Sequence, residues 1–104
     1  MEYKVVVTDF AKEQLESYIA YIINELKSKQ GARAVLDDYL DTINILKVSA
    51  NSLALLQDKN FAIYNYRRIN FCKHRYFMLY RIVDNIVFVD AIYHGLQDYK
   101  NIIQ

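Results

Sequence analysis

The fold is decided by His74-Arg-Tyr-Phe-Met-Leu-Tyr-Arg-Ile-Val83, then Asp84-Asn85, then Ile86-Val-Phe-Val-Asp-Ala-Ile-Tyr-His94, closing on Gly95-Leu-Gln-Asp-Tyr99. Two β-branched and aromatic runs flank a two-residue break. Asp and Asn both tolerate the positive φ that a tight hairpin turn needs, so the segment predicts a β-hairpin with Val83 opposite Ile86. Carried along the ladder, that register sets Arg81 opposite Phe88, Leu79 opposite Asp90, Phe77 opposite Ile92 and Arg75 opposite His94. Alternation then gathers Arg75, Arg81, Asp90 and His94 on one face. The other face takes Tyr76, Met78, Tyr80, Ile82, Val87, Val89, Ala91 and Tyr93, which suit packing on helices. A one-residue slip would exchange the faces.

Upstream, Tyr3-Lys-Val-Val-Val-Thr8 reads as a short strand, and Thr8 or Asp9 offers a helix cap. Ala11, Leu15, Tyr18, Ile19, Ile22, Ile23 and Leu26 recur at helical spacing and predict a helix of about five turns. Gly31 is the expected stop or turn after it. A second stripe, Val35, Leu36, Tyr39, Leu40, Ile43 and Leu46, predicts a second helix packed as an antiparallel hairpin. Asp37, Asp38 and Asp41 are expected on its solvated flank. Residues 49–62 read as a connector, with Leu53, Leu55 and Leu56 able to pin it. Ile63 to Phe71 alternates as a strand; with Ile69 and Phe71 facing the core, Arg68 joins the charged face and Arg67 does not. After Gly95, Leu96, Tyr99, Ile102 and Ile103 share one side of a short helix or turn. The expected fold is α+β: an N-terminal strand, a helical hairpin, then a three-strand antiparallel meander completing a four-stranded sheet with helices on one face.

At 104 residues the chain makes one domain spanning 1–104, and 54% hydrophobic residues exclude general disorder. No apolar run reaches the roughly 20 residues that span a bilayer. The start lacks the layout of a signal peptide. The single cysteine, Cys72, excludes an internal disulfide and fits a reducing cytosol. Cytoplasmic location is therefore expected, with no membrane role, no metal and no small-molecule cofactor.

The net charge of +1 hides an uneven distribution. Residues 59–83 carry Lys59, Arg67, Arg68, Lys73, Arg75 and Arg81 with no acid, while 1–58 hold 6 Lys/Arg against 9 Asp/Glu. Such a basic block suits phosphates or an acidic protein surface.

Taken in order, Tyr3–Ala11, Tyr66-Arg67-Arg68-Ile69, Lys73-His74-Arg75, Tyr80-Arg81-Ile82 and Ile92–Tyr99 resemble the corresponding segments of the RelE/ParE superfamily of toxins from bacterial type II toxin–antitoxin systems. The resemblance covers nearly the whole chain and implies a toxin neutralised by a cognate antitoxin. It further implies one of two mechanisms. RelE-like and YoeB-like members cut messenger RNA on the ribosome without a metal. For such an endoribonuclease, likeness to the YoeB-like segment makes His94 the acid or base and Arg75 and Arg81 the phosphate clamp. Arg68, Arg67 and Lys73 would be further RNA contacts, and Tyr99 would stack or transfer a proton. Ribosome and mRNA are then the partners, and this mechanism is the first expectation. The alternative is ParE-like inhibition of DNA gyrase without chemistry, or a remnant that only binds its antitoxin. Phe77 stands where RelE-like members carry an arginine, and residues 49–62 lack the glutamate that YoeB-like members use.

Overall fold

Asp84 adopts a positive φ of 57°, and across it Val83 pairs with Ile86. Those two residues close a hairpin of β3 (Tyr76–Val83) and β4 (Ile86–His94). The computed structural model describes residues 2–53 and 65–95. Within them, β1 (Lys4–Val7) leads into α1 (Asp9–Asn24), α2 (Lys29–Ser49) and a 3₁₀ turn at Ala50–Ser52; β2 (Arg67–Asn70) precedes the hairpin. The sheet order is β1-β4-β3-β2, with β1 parallel to β4 and the other pairs antiparallel. Both helices cover one face, as an α+β plan requires. Among the described residues no helix is long and apolar enough to cross a membrane.

The hairpin departs from the expected register halfway along. Arg81 faces Phe88 and Tyr80 faces Val89, but Leu79 pairs with Ala91 rather than Asp90. Asp90 is thus the extra residue of a β-bulge, opposed by no residue of its own. Every pairing beyond it moves by one: Phe77 meets Tyr93, not Ile92, and Tyr76 meets His94. Arg75 therefore does not face His94. The bulge also turns over the far half of β4. Ile92 joins Val87, Val89, Met78 and Tyr80 in the core beneath the helices, while Ala91 and Tyr93 pack with Phe77 and Leu79 on the opposite face.

Thr8 is the N-cap of α1, its hydroxyl accepting from the Ala11 N–H at 3.3 Å. Ala11, Leu15 and Ile22 are buried, but Ile23 and Leu26 are exposed, so the α1 stripe is narrower than its sequence implies. The helix stops at Asn24, and Lys27 takes a φ of 53° in the link. Gly31 is not the stop. It lies in the first turn of α2, where its N–H donates to the N-cap hydroxyl of Ser28 at 2.9 Å. On α2, Val35 and Leu46 are buried, whereas Leu36 and Leu40 face out.

α1 also finishes the sheet. β1 ends at Val7, opposite Val89, while β4 continues to His94. Side chains at and along α1 serve the bare edge: Thr8 Oγ1 donates to Asp90 O at 3.3 Å, the Ile92 N–H donates to Gln14 Oε1 at 2.7 Å, and Tyr18 OH donates to Ile92 O at 3.2 Å. These bonds satisfy groups that would otherwise be an open template for strand addition.

Candidate functional site

The loop from Phe71 to Arg75 joins β2 to β3 and carries Lys73, His74 and Arg75. It is built on Asp38, one α2 turn beyond Val35. The Asp38 carboxylate accepts from the backbone N–H groups of Cys72 at 3.0 Å and of Lys73 and His74, both at 2.9 Å. It also lies 2.8 Å from His74 Nδ1. Asp38 is 1% exposed, not part of a solvated flank. Burial alone would raise its pKa; the bonds from the His74 ring and three backbone amides outweigh it and hold the carboxyl below its ordinary range. A sequence signal for this exists. Val35, Asp38, Thr42 and Leu46 follow helical spacing on one face, so Asp38 sits on the buried stripe beside Thr42, itself 0% exposed.

Arg75 is exposed at the loop's end, and its carbonyl accepts from the Gly95 N–H at 2.5 Å. His94 lies on the helix side of the sheet, its ring edge-on to Tyr76 with centroids 5.2 Å apart. Tyr18 packs on the same Tyr76 ring at 5.1 Å. Arg68 lies on the open face, its guanidinium 3.8 Å from the Phe77 ring centroid and its Nε donating to Asn70 Oδ1 at 2.9 Å. Arg67 points to the helix side and donates to the Leu53 carbonyl. Lys73 is exposed.

Arg81 is held by the bulge. Its Nε donates to Asp90 Oδ2 at 2.7 Å, the Tyr66 hydroxyl donates to the same oxygen at 2.8 Å, and the guanidinium lies over the Phe88 ring. Burial and the bond to Asp90 push the Tyr66 phenol up to about 12. The bulged residue thus anchors an Arg–Asp–Tyr cluster on the open face.

The expected site residues consequently do not share one place. Arg68 and Arg75 line a pocket of about 400 Å³ with Asn70, His74, Tyr76 and Gly95. Arg81 lies in the bulge cluster. His94 is on the helix side. Tyr99 and the C-terminal turn lie outside the described residues, as do Lys59, Ile63, Leu55 and Leu56. The tie of His74 to Asp38 has no local sequence cue. Among the described residues no group of three His, Cys, Asp or Glu side chains could hold a metal ion.

The family described as the ParE toxin of the type II toxin–antitoxin system, parDE, matches residues 5–99. This chain belongs to that family. Among solved structures it is similar to a chain of the chromosomal ParDE TA system from P. aeruginosa, at 14% sequence identity and a TM-score of 0.73. That similarity covers 89% of this chain and 96% of that one, and it supports the fold independently of sequence. No curated protein matches the chain. For a member of the ParE family, the β4 bulge and the Asp38-built loop are the two local features that arrange the charged side chains.

Proposed function

We propose that this chain is the toxin of a type II module, silenced by a cognate antitoxin, and that it acts by binding DNA gyrase rather than by cutting messenger RNA. The observation that carries this reading is that Arg81 and His94 lie at opposite ends of the β3–β4 hairpin and, because of the Asp90 bulge, on opposite faces of it. Metal-free cleavage at a ribose 2′-OH needs a base, an acid and a phosphate clamp converging on one phosphodiester, each within hydrogen-bond reach. Here Arg81 is engaged by Asp90 on the open face, and His94 packs against Tyr76 on the other. Arg75 lies beside Gly95 at the far end of the hairpin from Arg81. A binding toxin needs no such convergence; it needs an exposed cationic surface with fixed geometry, and the 71–75 loop supplies one. The family match supports the same direction. One contact favours the cleavage reading: the Gly95 N–H to Arg75 carbonyl bond keeps Arg75 and His94 at the same end of the sheet.

The test is a gyrase supercoiling assay with the purified chain, beside a ribosome-bound message. Loss of supercoiling with accumulated DNA breaks and intact message is the expected result. Cut message with normal supercoiling would establish the cleavage reading instead. Neither effect from folded protein would leave a chain that only binds its antitoxin.

A further inference from the structure

Asp38 is a buried carboxylate in the middle of α2, on a stripe where Val35 and Leu46 pack as apolar side chains. Desolvating a charge is unfavourable, and an apolar residue of similar size at such a position is often no less stabilising. What a carboxylate does that an apolar side chain cannot is direct the backbone. Its two oxygens draw the N–H groups of three successive residues, Cys72, Lys73 and His74, toward one point. Successive N–H groups turned to one side form a concave nest for an anion, and here α2 supplies that anion. With the amides turned inward the chain curls around Asp38, and the side chains of Cys72 and Lys73 are exposed.

The ends of the loop are tied separately. Phe71 is 5% exposed, and its N–H donates to the Tyr76 carbonyl at 2.8 Å, closing the base of the loop on the core. The Gly95 N–H holds the Arg75 carbonyl. Between these ties the hold on the apex is Asp38. The His74 ring adds a fourth bond to the same carboxylate, so one loop side chain is drawn inward while its neighbours Lys73 and Arg75 stay exposed.

We infer that Asp38 is a positioning residue for toxin action: it sets the directions in which Lys73 and Arg75 leave the surface, with His74 completing the hold. The inference rests on the reading of the 71–75 loop as the cationic surface presented to gyrase. A loop ordered in advance loses less conformational freedom when a partner docks, so the contribution of Asp38 appears in affinity as well as in the fold. No bond is made or broken.

The experiment is a double-mutant cycle on the purified full chain, read as the concentration that half-inhibits gyrase supercoiling. Asp38→Asn keeps the shape of the side chain and removes its charge. It should raise that concentration about tenfold in the otherwise native chain and no more than about twofold in a Lys73→Ala/Arg75→Ala background, where nothing is left to position. Leu46→Ala is the structural comparator: a buried change on the same helix that lowers the melting temperature and leaves inhibition unchanged. All assays are run where circular dichroism shows every variant folded. His74→Ala leaves the carboxylate and its three amide donors in place, and it gives a second reading should Asp38→Asn not fold. It should weaken inhibition about threefold, and His74→Asn, whose side-chain amide can donate from the position of Nδ1, should restore it. Hydrogen exchange at the Cys72, Lys73 and His74 amides should quicken in Asp38→Asn. Equal effects of Asp38→Asn in both backgrounds, a matching loss of inhibition in Leu46→Ala, or unchanged exchange at the three amides would overturn the inference. Growth arrest on induction is scored with the same variants. A native chain that arrests growth with supercoiling intact would refute the gyrase reading, and the cycle scored on growth arrest would still decide the role of Asp38.

Discussion

Asp38 Oδ2 lies 2.8 Å from His74 Nδ1, joining the middle of α2 to the loop that carries the exposed basic side chains. The pair is a short link between residues 36 positions apart, and the backbone N–H of His74 reaches the same oxygen. Removing the carboxylate leaves three backbone donors without a partner. Asp38→Ala should therefore cost about 3 kcal/mol of stability, measured by urea unfolding. An unchanged midpoint would show that the loop finds other acceptors.

The same carboxylate gives stability a defined pH dependence. Its native pKa is depressed, so the native state holds fewer protons on Asp38 than the unfolded chain does as pH falls. The contribution is complete above the unfolded carboxylate pKa of about 4 and is lost as pH drops through the lower native value. The stability difference between wild type and Asp38→Asn should accordingly be large near pH 7 and shrink below about pH 4. A difference that stays constant down to pH 2 would contradict this origin.

The Tyr66 phenol reports on the bulge cluster. Part-buried and donating its hydrogen bond to the Asp90 carboxylate, Tyr66 should resist ionisation until about 12. Because the native pKa is raised, the favourable contribution is present below the unfolded tyrosine pKa of about 10 and fades as pH climbs through the native value. Asp90→Asn removes the negative charge and should bring the Tyr66 transition down by ultraviolet titration. Arg81 is more than a third exposed, so the accompanying loss of its ion pair should cost no more than about 1 kcal/mol.

Gln14 is the most direct test of the helix side chains that serve the β4 edge. Gln14→Ala strips the acceptor from the Ile92 N–H. The expected cost is about 1 kcal/mol, with faster hydrogen exchange at the Ile92 amide and little change at Val87. Equal protection at Ile92 in both proteins would mean that the edge is covered without Gln14.

The hairpin was legible where local chemistry sets it. Asp84-Asn85 marks the turn, and the pairings from Val83–Ile86 to Arg81–Phe88 follow from it. Legibility ends at Asp90, because alternation cannot reveal a bulge when both residues after it, Ala91 and Ile92, are apolar and either could face the core. β3 and β4 were readable for the same local reasons; of the strand expected over Ile63–Phe71 only Arg67–Asn70 forms among the described residues, and of the two possible caps, Thr8 and Asp9, Thr8 is the one used. The helix stripes were read too wide: Leu36, Leu40, Ile23 and Leu26 carry the right residue type but lie at the margin of the buried arc. Arg68 could be placed on the open face from Ile69 and Phe71. Asp38 could not be assigned its partners, since Cys72, Lys73 and His74 are 34 to 36 residues away and contribute backbone groups that every residue has.

β4 occupies an interior position of the sheet, between β1 and β3, yet among the described residues it is the last strand in chain order. Its parallel partnership with β1 joins Lys4 to Ile86, so the first strand emerges from the ribosome long before the strand it needs. Loop closure over that distance must precede the contacts that reward it. A nascent chain that stops short of residue 86 holds two helices, β1 and the β2–β3 portion with nothing to connect them in one sheet. Synthesis itself thus delays assembly: interrupted translation products should be inert and open to proteolysis, and the folded form can appear only once β4 has been made.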